Sequence, residues 1–388
     1  MKIFHTADWH LGKLVHGVSM TDDQRHVLSQ FIEAVETEKP DVVIVAGDLF
    51  DRAVAPIEAV NLLNDVLAEI VLRTNTPVLS IAGNHDSPGR IDFASQLMRS
   101  SGLHMVGHLT TEYKPVILHD AHGEVHFHLV PFADPSHVKH LFNDPSIQSH
   151  QDAMKKVTEH IGTQLDNSAR HVFIGHAFVT KYGEEQENTS DSERPLAIGG
   201  SECVDAALFD KFHYTALGHL HQAHFVLNER IQYAGSLLKY SMSEHNHKKG
   251  YLVVELDGEG NVAIEKKLLT PRRDLRVVEG KMEDIMQLPI SEDYVFVKLT
   301  DEQPVLSAME RIRTVFPNVM HVGRIVERGI EEGTEEVIAK RASMDDWSLF
   351  QAFYKEITGQ APKETTESIF KEVLQELLED KRETGKEA

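Results

Sequence analysis

The sequence predicts a layered α/β fold in which mixed β-sheets are flanked by helices. Three observations lead there. Val42 to Ala46 is a continuous apolar run, and Val78 to Ala82 is apolar but for Ser80, the pattern of strands covered on both faces. Between such runs, apolar residues recur at helical spacing. Beyond about Val125 the strand-like runs follow one another with less helix between them, so a mixed sheet is expected rather than a purely parallel one.

Lys2 to Ala7 reads as a first short strand, followed by a loop rich in Gly and His. Thr21 with Gln24 three residues on has the form of a capping box. Val27, Leu28, Phe31, Ile32 and Val35 then give a helix its apolar face, which Pro40 ends. Pro56 opens the next helix at a position where proline is tolerated, with Ile57, Val60, Leu63, Leu67 and Ile70 along one side. Further strands are expected at Val125 to Val130, Val172 to Gly175, Tyr214 to Leu217, Ile231 to Ala234 and Tyr251 to Leu256. Residues 1–270 form one domain on this reading.

Composition shifts after Pro271-Arg272-Arg273. Residues 271–330 read as a small separate α/β domain with strands at Arg276 to Val278, Tyr294 to Val297 and His321 to Ile325. Residues 340–380 hold two apolar helical stretches. Trp347, Phe350, Phe353, Tyr354 and Ile357 mark the first; Ile369, Phe370, Val373, Leu374, Leu377 and Leu378 mark the second. Residues 381–388 are expected to fray.

Charge and composition exclude some classes of protein. No run of about 18 apolar residues is present, so no membrane helix is expected. The first residues lack the apolar core and cleavage site of a signal peptide. A single cysteine, Cys203, cannot form an internal disulfide and reads as a partly buried small hydrophobe. A cytoplasmic protein is expected. The formal charge is −22, from 39 Lys+Arg against 61 Asp+Glu. Such a chain repels nucleic acid in general, because DNA affinity rests on cations neutralising phosphates. It is not a free-standing DNA clamp, although metal ions or a partner can supply positive charge locally.

Five short clusters carry the chemistry: Asp8-Trp9-His10, Gly47-Asp48-Leu49-Phe50-Asp51, Gly83-Asn84-His85-Asp86, Gly175-His176 and Gly218-His219-Leu220-His221. Each falls at the carboxyl end of an expected strand, where sites in open α/β sheets gather. Carboxylates, an amide oxygen and imidazoles, with no thiolate, suit hard-to-borderline divalent metals. Asp48 can bridge two cations about 3.5–4 Å apart, the spacing of two-metal phosphoryl sites. Two carboxylates against two divalent ions leave a net positive phosphate trap inside an acidic protein. Each cluster alone is weak, since a lone Gly-Asp after a strand is more often a turn than a ligand. The pairs His126/His128 and His245/His247 read as surface residues rather than ligands, and Lys248-Lys249 and Arg272-Arg273 as solvated surface more than DNA contacts. Five clusters in order are a different matter.

In that order the residues resemble the calcineurin-like metallophosphoesterase superfamily: D-x-H, G-D-x-x-D, G-N-H-D, G-H, G-H-x-H. Thr6 to Gly12, Gly47 to Asp51 and Ile81 to Asp86 look closer still to its SbcD branch, bacterial relatives of the eukaryotic double-strand-break repair nuclease. The resemblance implies a metallophosphoesterase fold with a small cap domain after residue 271. It implies two divalent metal ions, with manganese (Mn2+) the usual one, and a DNA exonuclease/endonuclease acting in repair and recombination. One ion would be held by Asp8, His10, Asp48 and His221, the other by Asp48, Asn84, His176 and His219. His85 would stabilise or protonate the leaving oxygen, and Asp86, by adjacency, would orient His85. Asp51 has no assigned role.

The same pocket motifs also fit a phosphomonoesterase or cyclic-nucleotide phosphodiesterase, or a metal-dependent scaffold without activity. The region beyond Pro271 favours the nuclease, because a simple phosphatase needs neither cap nor partner-binding tail. The completeness of the ligand set speaks against the inactive scaffold. The resemblance further implies that the tail docks on an SbcC-type coiled-coil ATPase, where helix-in-groove binding suits two short amphipathic helices; its stripes could also simply pack on the cap. It implies, too, a homodimer within a heterotetramer, for which Arg90 to Leu103 is a candidate surface.

Overall fold

The computed structural model describes residues 1–183, 190–193 and 202–324, and in the tail residues 347, 350, 351, 353–355, 361, 362, 365–371 and 373. Contacts divide the chain into two units, Met1–Ile325 and Val326–Ala388.

The first unit is built on two six-stranded sheets. The order of the first is Val262–Leu268, Gly250–Leu256, Lys2–Thr6, Val42–Val45, Val78–Ile81, Leu103–Val106. Its last four strands run parallel, and Gly250–Leu256 pairs antiparallel to Lys2–Thr6. In the second sheet Tyr214–Gly218 pairs parallel to Arg170–His176, which in turn pairs parallel to Gly123–Val130. Period-two alternation explains the layering. Ile3, Val42, Ile44, Leu79 and Ile81 face Phe127, Val172, Ile174 and Ala216 in one core between the sheets. Phe4, Val43 and Val45 turn the other way, onto Val27, Leu28, Phe31 and Leu62 of helices α1 (Thr21–Glu38) and α2 (Ile57–Ala68). The second sheet's outer face, including Phe173 and Leu217, packs on Ala153, Val157 and Ile161 of helix His150–Gly162. The layers run helix, sheet, sheet, helix, and the mixed layered fold is as expected.

Within the two large sheets, four strands lie where none was expected: Leu103–Val106, Val116–Asp120, His224–Val226 and Val262–Leu268. All four stand at sheet edges, where half-exposed strands lose the continuous apolar signature. Pro56 proves to be the residue before α2 rather than its first, and Ile57 and Val60 are exposed.

The expected capping box is not made. Met20 occupies the cap of α1 without a side-chain bond, because the Gln24 side chain turns inward to the loop after the first strand. Two further exposure readings also change. His126 and His128 are buried within a strand, with His128 Nε2 3.0 Å from His171 Nδ1. Lys249 is buried as well, beside Glu244.

Residues 275–324 carry the expected succession of strand, helix, strand, helix, strand as a three-stranded parallel sheet. Val295, Val297, Ile312 and Phe316 give it a core of its own. On its other side Leu275, Tyr294 and Phe296 join the cluster beneath α1, so this sheet is seated on the larger body rather than tethered to it. In the second unit the aromatic rings of Trp347, Phe350 and Phe370 pack together, Phe350 stacking on Phe370 at 3.9 Å. Phe353, Ile369 and Val373 remain exposed. The expected residues Ile357, Leu374, Leu377 and Leu378 lie outside the described residues, as do 381–388. Among the described residues no helix is long and apolar enough to cross a membrane.

Candidate metal centre

All five clusters emerge at the same ends of the two sheets. The turns after Lys2–Thr6 and Val42–Val45 are stitched together by Asp8 N–H to Gly47 O at 3.1 Å and His10 N–H to Asp48 O at 3.0 Å. Asp8, His10, Asp48 and His219 have φ of 53°, 46°, 51° and 109°. A non-glycine residue in this region carries backbone strain that persists only where surrounding contacts enforce it. Glycine is required for close approach at several of these turns; a Cβ on Gly218 would lie 2.0 Å from Ala46 O. A Cβ on Gly47, itself at φ +90°, would lie 2.4 Å from His176 Nδ1, and one on Gly83 would lie 2.1 Å from Asp48 Oδ1.

These turns bring the expected ligands together. Asp8, His10 and His221 each place a ligand atom within 4.8 Å of the others, and so do Asp8, Asp48 and His176. His10 Nε2 is 3.0 Å from His221 Nε2 and 3.6 Å from Asp48 Oδ2. His176 Nε2 is 2.9 Å from Asn84 Oδ1 and 3.4 Å from Asp48 Oδ2. His219 sits at the margin: its backbone N–H donates to the Asp8 carboxylate at 3.0 Å, while its ring centre is 5.5 Å from that of His176. Asp8, His10, Asp48, His176, His219 and His221 are buried; Asn84 and His85 are partly exposed, at the mouth.

The donor set fits divalent cations. His176 gives its Nδ1–H to the Ala46 carbonyl at 2.9 Å, so Nε2 presents a lone pair to the oxygens of Asn84 and Asp48. Three acceptors converge with no donor among them unless a proton or a cation enters. Without a cation, protonation fills the need. Burial opposes a charge on His176, yet Asp48 and Asp8 raise it to about 9. Burial raises Asp8 to about 7. Asp48 is also penalised by burial, but His176 and His10 hold it well below the ordinary carboxylate value. Burial keeps His10 and His219 well below the usual histidine range, hence neutral and able to coordinate.

His85 was expected to act on the phosphate and Asp86 to orient it, but the Asp86 carboxylate makes other contacts. His85 Nδ1 lies 2.9 Å from the Asp51 carbonyl, and its backbone N–H donates to Asp48 Oδ1 at 2.9 Å. The Asp86 carboxylate accepts instead from the backbone N–H groups of Leu49, Phe50 and Gly83 at 3.1, 2.9 and 2.9 Å. It bolts two ligand-bearing turns to each other, while Asp51 holds the His85 ring. Burial, then the charge of Asp48, raises Asp86 to about 7.

Sequence reasoning missed four residues here. Gln24 Nε2 donates to the carbonyls of Trp9 and His10, and Oε1 accepts from Gly12 N–H. Lys13 pairs with Asp51 at 2.8 Å. Glu244 and Lys249 flank His221. Only the three-residue spacing of Thr21 and Gln24 gave any signal, and it pointed to the wrong role.

Fold and site together define a metal-dependent phosphoesterase. The model of the calcineurin-like phosphoesterases matches residues 1–223, and that of the type 5 capsule protein repressor C-terminal domain matches residues 271–358. The chain is 35% identical over 385 residues to the SbcD subunit of the SbcCD nuclease of Staphylococcus epidermidis, covering 98% of this chain and 99% of that one. To the protein of the same name from Staphylococcus saprophyticus it is 34% identical over 387 residues, with 98% and 99% covered. The chain belongs to the calcineurin-like phosphoesterase family, in its SbcD branch of metal-dependent nucleases.

Proposed function

We propose that this chain hydrolyses DNA phosphodiester bonds with two manganese ions, as the nuclease subunit of a cytoplasmic complex with an SbcC-type coiled-coil ATPase. The observation that carries this is the convergence of six ligand-type side chains from both sheets on one polar cluster, with His219 at its margin. Asp8, His10, Asp48 and His221 would hold one ion; Asp48, Asn84, His176 and His219 would hold the other. When bound, the ions acidify water and offset the charge that builds on phosphate oxygens. Two divalent charges also supply locally the cation that a chain of formal charge −22 lacks.

The remaining work falls to the chain. His176 is held in one tautomer by Ala46 O, and Asp86 keeps the Asp48 and Asn84 turns in register. His85, at the mouth, has Nδ1 committed to Asp51 O, so Nε2 is the atom free to meet substrate. In-line attack of water forms one P–O bond and breaks another; His85 Nε2 gives a proton to the departing sugar oxygen. General acid help of this kind is worth ~10²–10⁴-fold.

Two surfaces support the assembly. An apolar groove of about 670 Å³ is lined by Phe50, Leu63, Leu67, Ile91 and Met98, with Leu72 and Phe93 also on its wall; Leu72, Phe93 and, next to Met98, Leu97 are 72%, 79% and 78% exposed. A patch of this kind marks an interface, and we assign it to a second copy of this chain. In the tail, the row Phe353, Ile369 and Val373 is exposed although Phe350 and Phe370 are stacked, which suits docking on a partner. Truncation after Lys340 should abolish association with the ATPase. The enzymatic reading is tested by comparing single-stranded and duplex DNA with p-nitrophenyl phosphate, each with manganese. Hydrolysis of DNA is expected to dominate; a preference for the small ester would overturn the nuclease assignment.

A further inference from the structure

Glu244 has no accessible surface at all, although a buried carboxylate is costly unless paired. Its partner is Lys249, also buried, and the pair is neutral as a whole. Lys249 offsets part of the Glu244 charge, and what Glu244 offers His221 is a directional contact. Glu244 Oε1 lies 3.2 Å from His221 Nδ1. Ser192 Oγ lies 2.8 Å from the same nitrogen and donates its own proton to Glu244. A carboxylate only accepts, and the single hydroxyl proton of Ser192 is spent on it, so Nδ1 of His221 must be the protonated nitrogen. The rest of His221 is fixed as well: Lys249 Nζ donates to its carbonyl at 2.8 Å, and Glu193 accepts from its backbone N–H at 2.7 Å. Of the polar atoms of His221, Nε2 is left to face the metal centre, 3.0 Å from His10 Nε2.

We propose that Glu244, kept in place by Lys249, is a positioning residue that locks His221 in the tautomer and ring plane needed for coordination. The proposal rests on the reading of His221 as a ligand. Outer partners of metal-bound histidines fix the tautomer and raise ligand basicity, and their loss typically costs about 10–100-fold in affinity. Serine and lysine share the lock, so one buried network holds the ring from the side away from the cluster.

The test uses the full chain and manganese as the probe, with calorimetric titration and electron paramagnetic resonance to follow each ion. Replacing the pair by apolar residues (Glu244→Leu with Lys249→Met) avoids leaving a lone buried charge, and thermal unfolding in EDTA verifies that the variant is folded. One of the two ions is expected to bind roughly 10–100-fold more weakly, the other unchanged. Glu244→Gln with Lys249→Met retains an acceptor for Nδ1–H and should restore most of the affinity. In the metal-free protein, at a pH where the His221 ring is neutral, nitrogen-15 NMR should report protonated Nδ1 in the wild type and a mixture of tautomers in the Leu/Met variant. A mere structural role would leave that spectrum unmoved. If His221→Ala loses an ion but the Leu/Met variant binds both at full strength with an unchanged tautomer, the positioning role is overturned. If His221→Ala itself binds both ions normally, the ligand reading falls and the proposal with it.

Discussion

Gln24 grips the turn that carries His10, donating to the His10 carbonyl at 2.8 Å from the first full turn of α1. The same amide reaches Trp9 O and Tyr240 Oη, and accepts from Gly12. One residue earlier, Asp23 accepts a 2.7 Å bond from Tyr294 of the small sheet. The N-terminal turn of α1 thus touches both the loop that carries His10 and the small sheet. Gln24→Leu leaves the Gly12 N–H without its acceptor, while His10 O keeps Lys13 N–H and Trp9 O keeps the Tyr240 hydroxyl; an unpaired interior group costs about 1–3 kcal/mol. Denaturant unfolding should show a loss on the order of 2 kcal/mol, with weaker manganese binding alongside. Undiminished affinity would mean that the loop keeps its strained φ angles without this clamp.

His85→Asn should bind manganese as the wild type does and lose ~10²–10⁴-fold in turnover. Metal titration and rate measurement on one preparation separate the two effects. Metal occupancy falling in step with rate would assign His85 to the ligands instead.

Phe93→Glu places a charge on the exposed apolar patch at the Ile91–Met98 groove. Sedimentation should report a dimer for the wild type and a monomer for the variant, with thermal stability little changed, because Phe93 is 79% exposed in the single chain. A wild type that sediments as a monomer would remove the second copy from the assembly.

Acid should destabilise the fold through its buried neutral histidines. Burial lowers His128 from 6.5 to about 3, with His171 beside it adding to the effect. Burial likewise lowers His5 to about 3, against the pull of a backbone contact. The unfolded chain takes up these protons first. The contribution of such a group is therefore intact above about pH 6.5 and is lost progressively toward pH 3, at up to ~1.4 kcal/mol per unit. Urea unfolding of EDTA-treated protein at pH 7.5 and 5.5 should show the decline, and His128→Phe should flatten it. An equal slope in the variant would show that His128 is not a source.

The gathering of Asp8, His10, Asp48, His176 and His221 in one place was legible because the pattern that marks each is local. Asp8-x-His10 or His219-x-His221 at a strand end is a short pattern, and five in order leave little room for accident. Glu244 and Lys249 were not legible, since their meaning depends on His221, 23 residues upstream of Glu244 and brought alongside only by the fold. The Lys248-Lys249 pair read as surface for the same reason: nothing in the sequence says that a carboxylate waits for Lys249 in the interior. His128 was misjudged because His-x-His carries no apolar signal, although Tyr113 and Phe212 enclose its ring. Asp86 was given a neighbour that the structure does not put beside its carboxylate. Adjacency in sequence suggested His85, whereas the turn aims its carboxylate at the amides of Leu49, Phe50 and Gly83.

Asp8, His10, Asp48 and Asn84 follow strands of one sheet, and His176, His219 and His221 follow strands of the other. A pair of ions held among them would act as a rivet through the sandwich, coupling halves of the chain that otherwise meet mainly through oily contact. Neither half could then bind manganese by itself. Chelation should loosen the seam between them before it melts either layer.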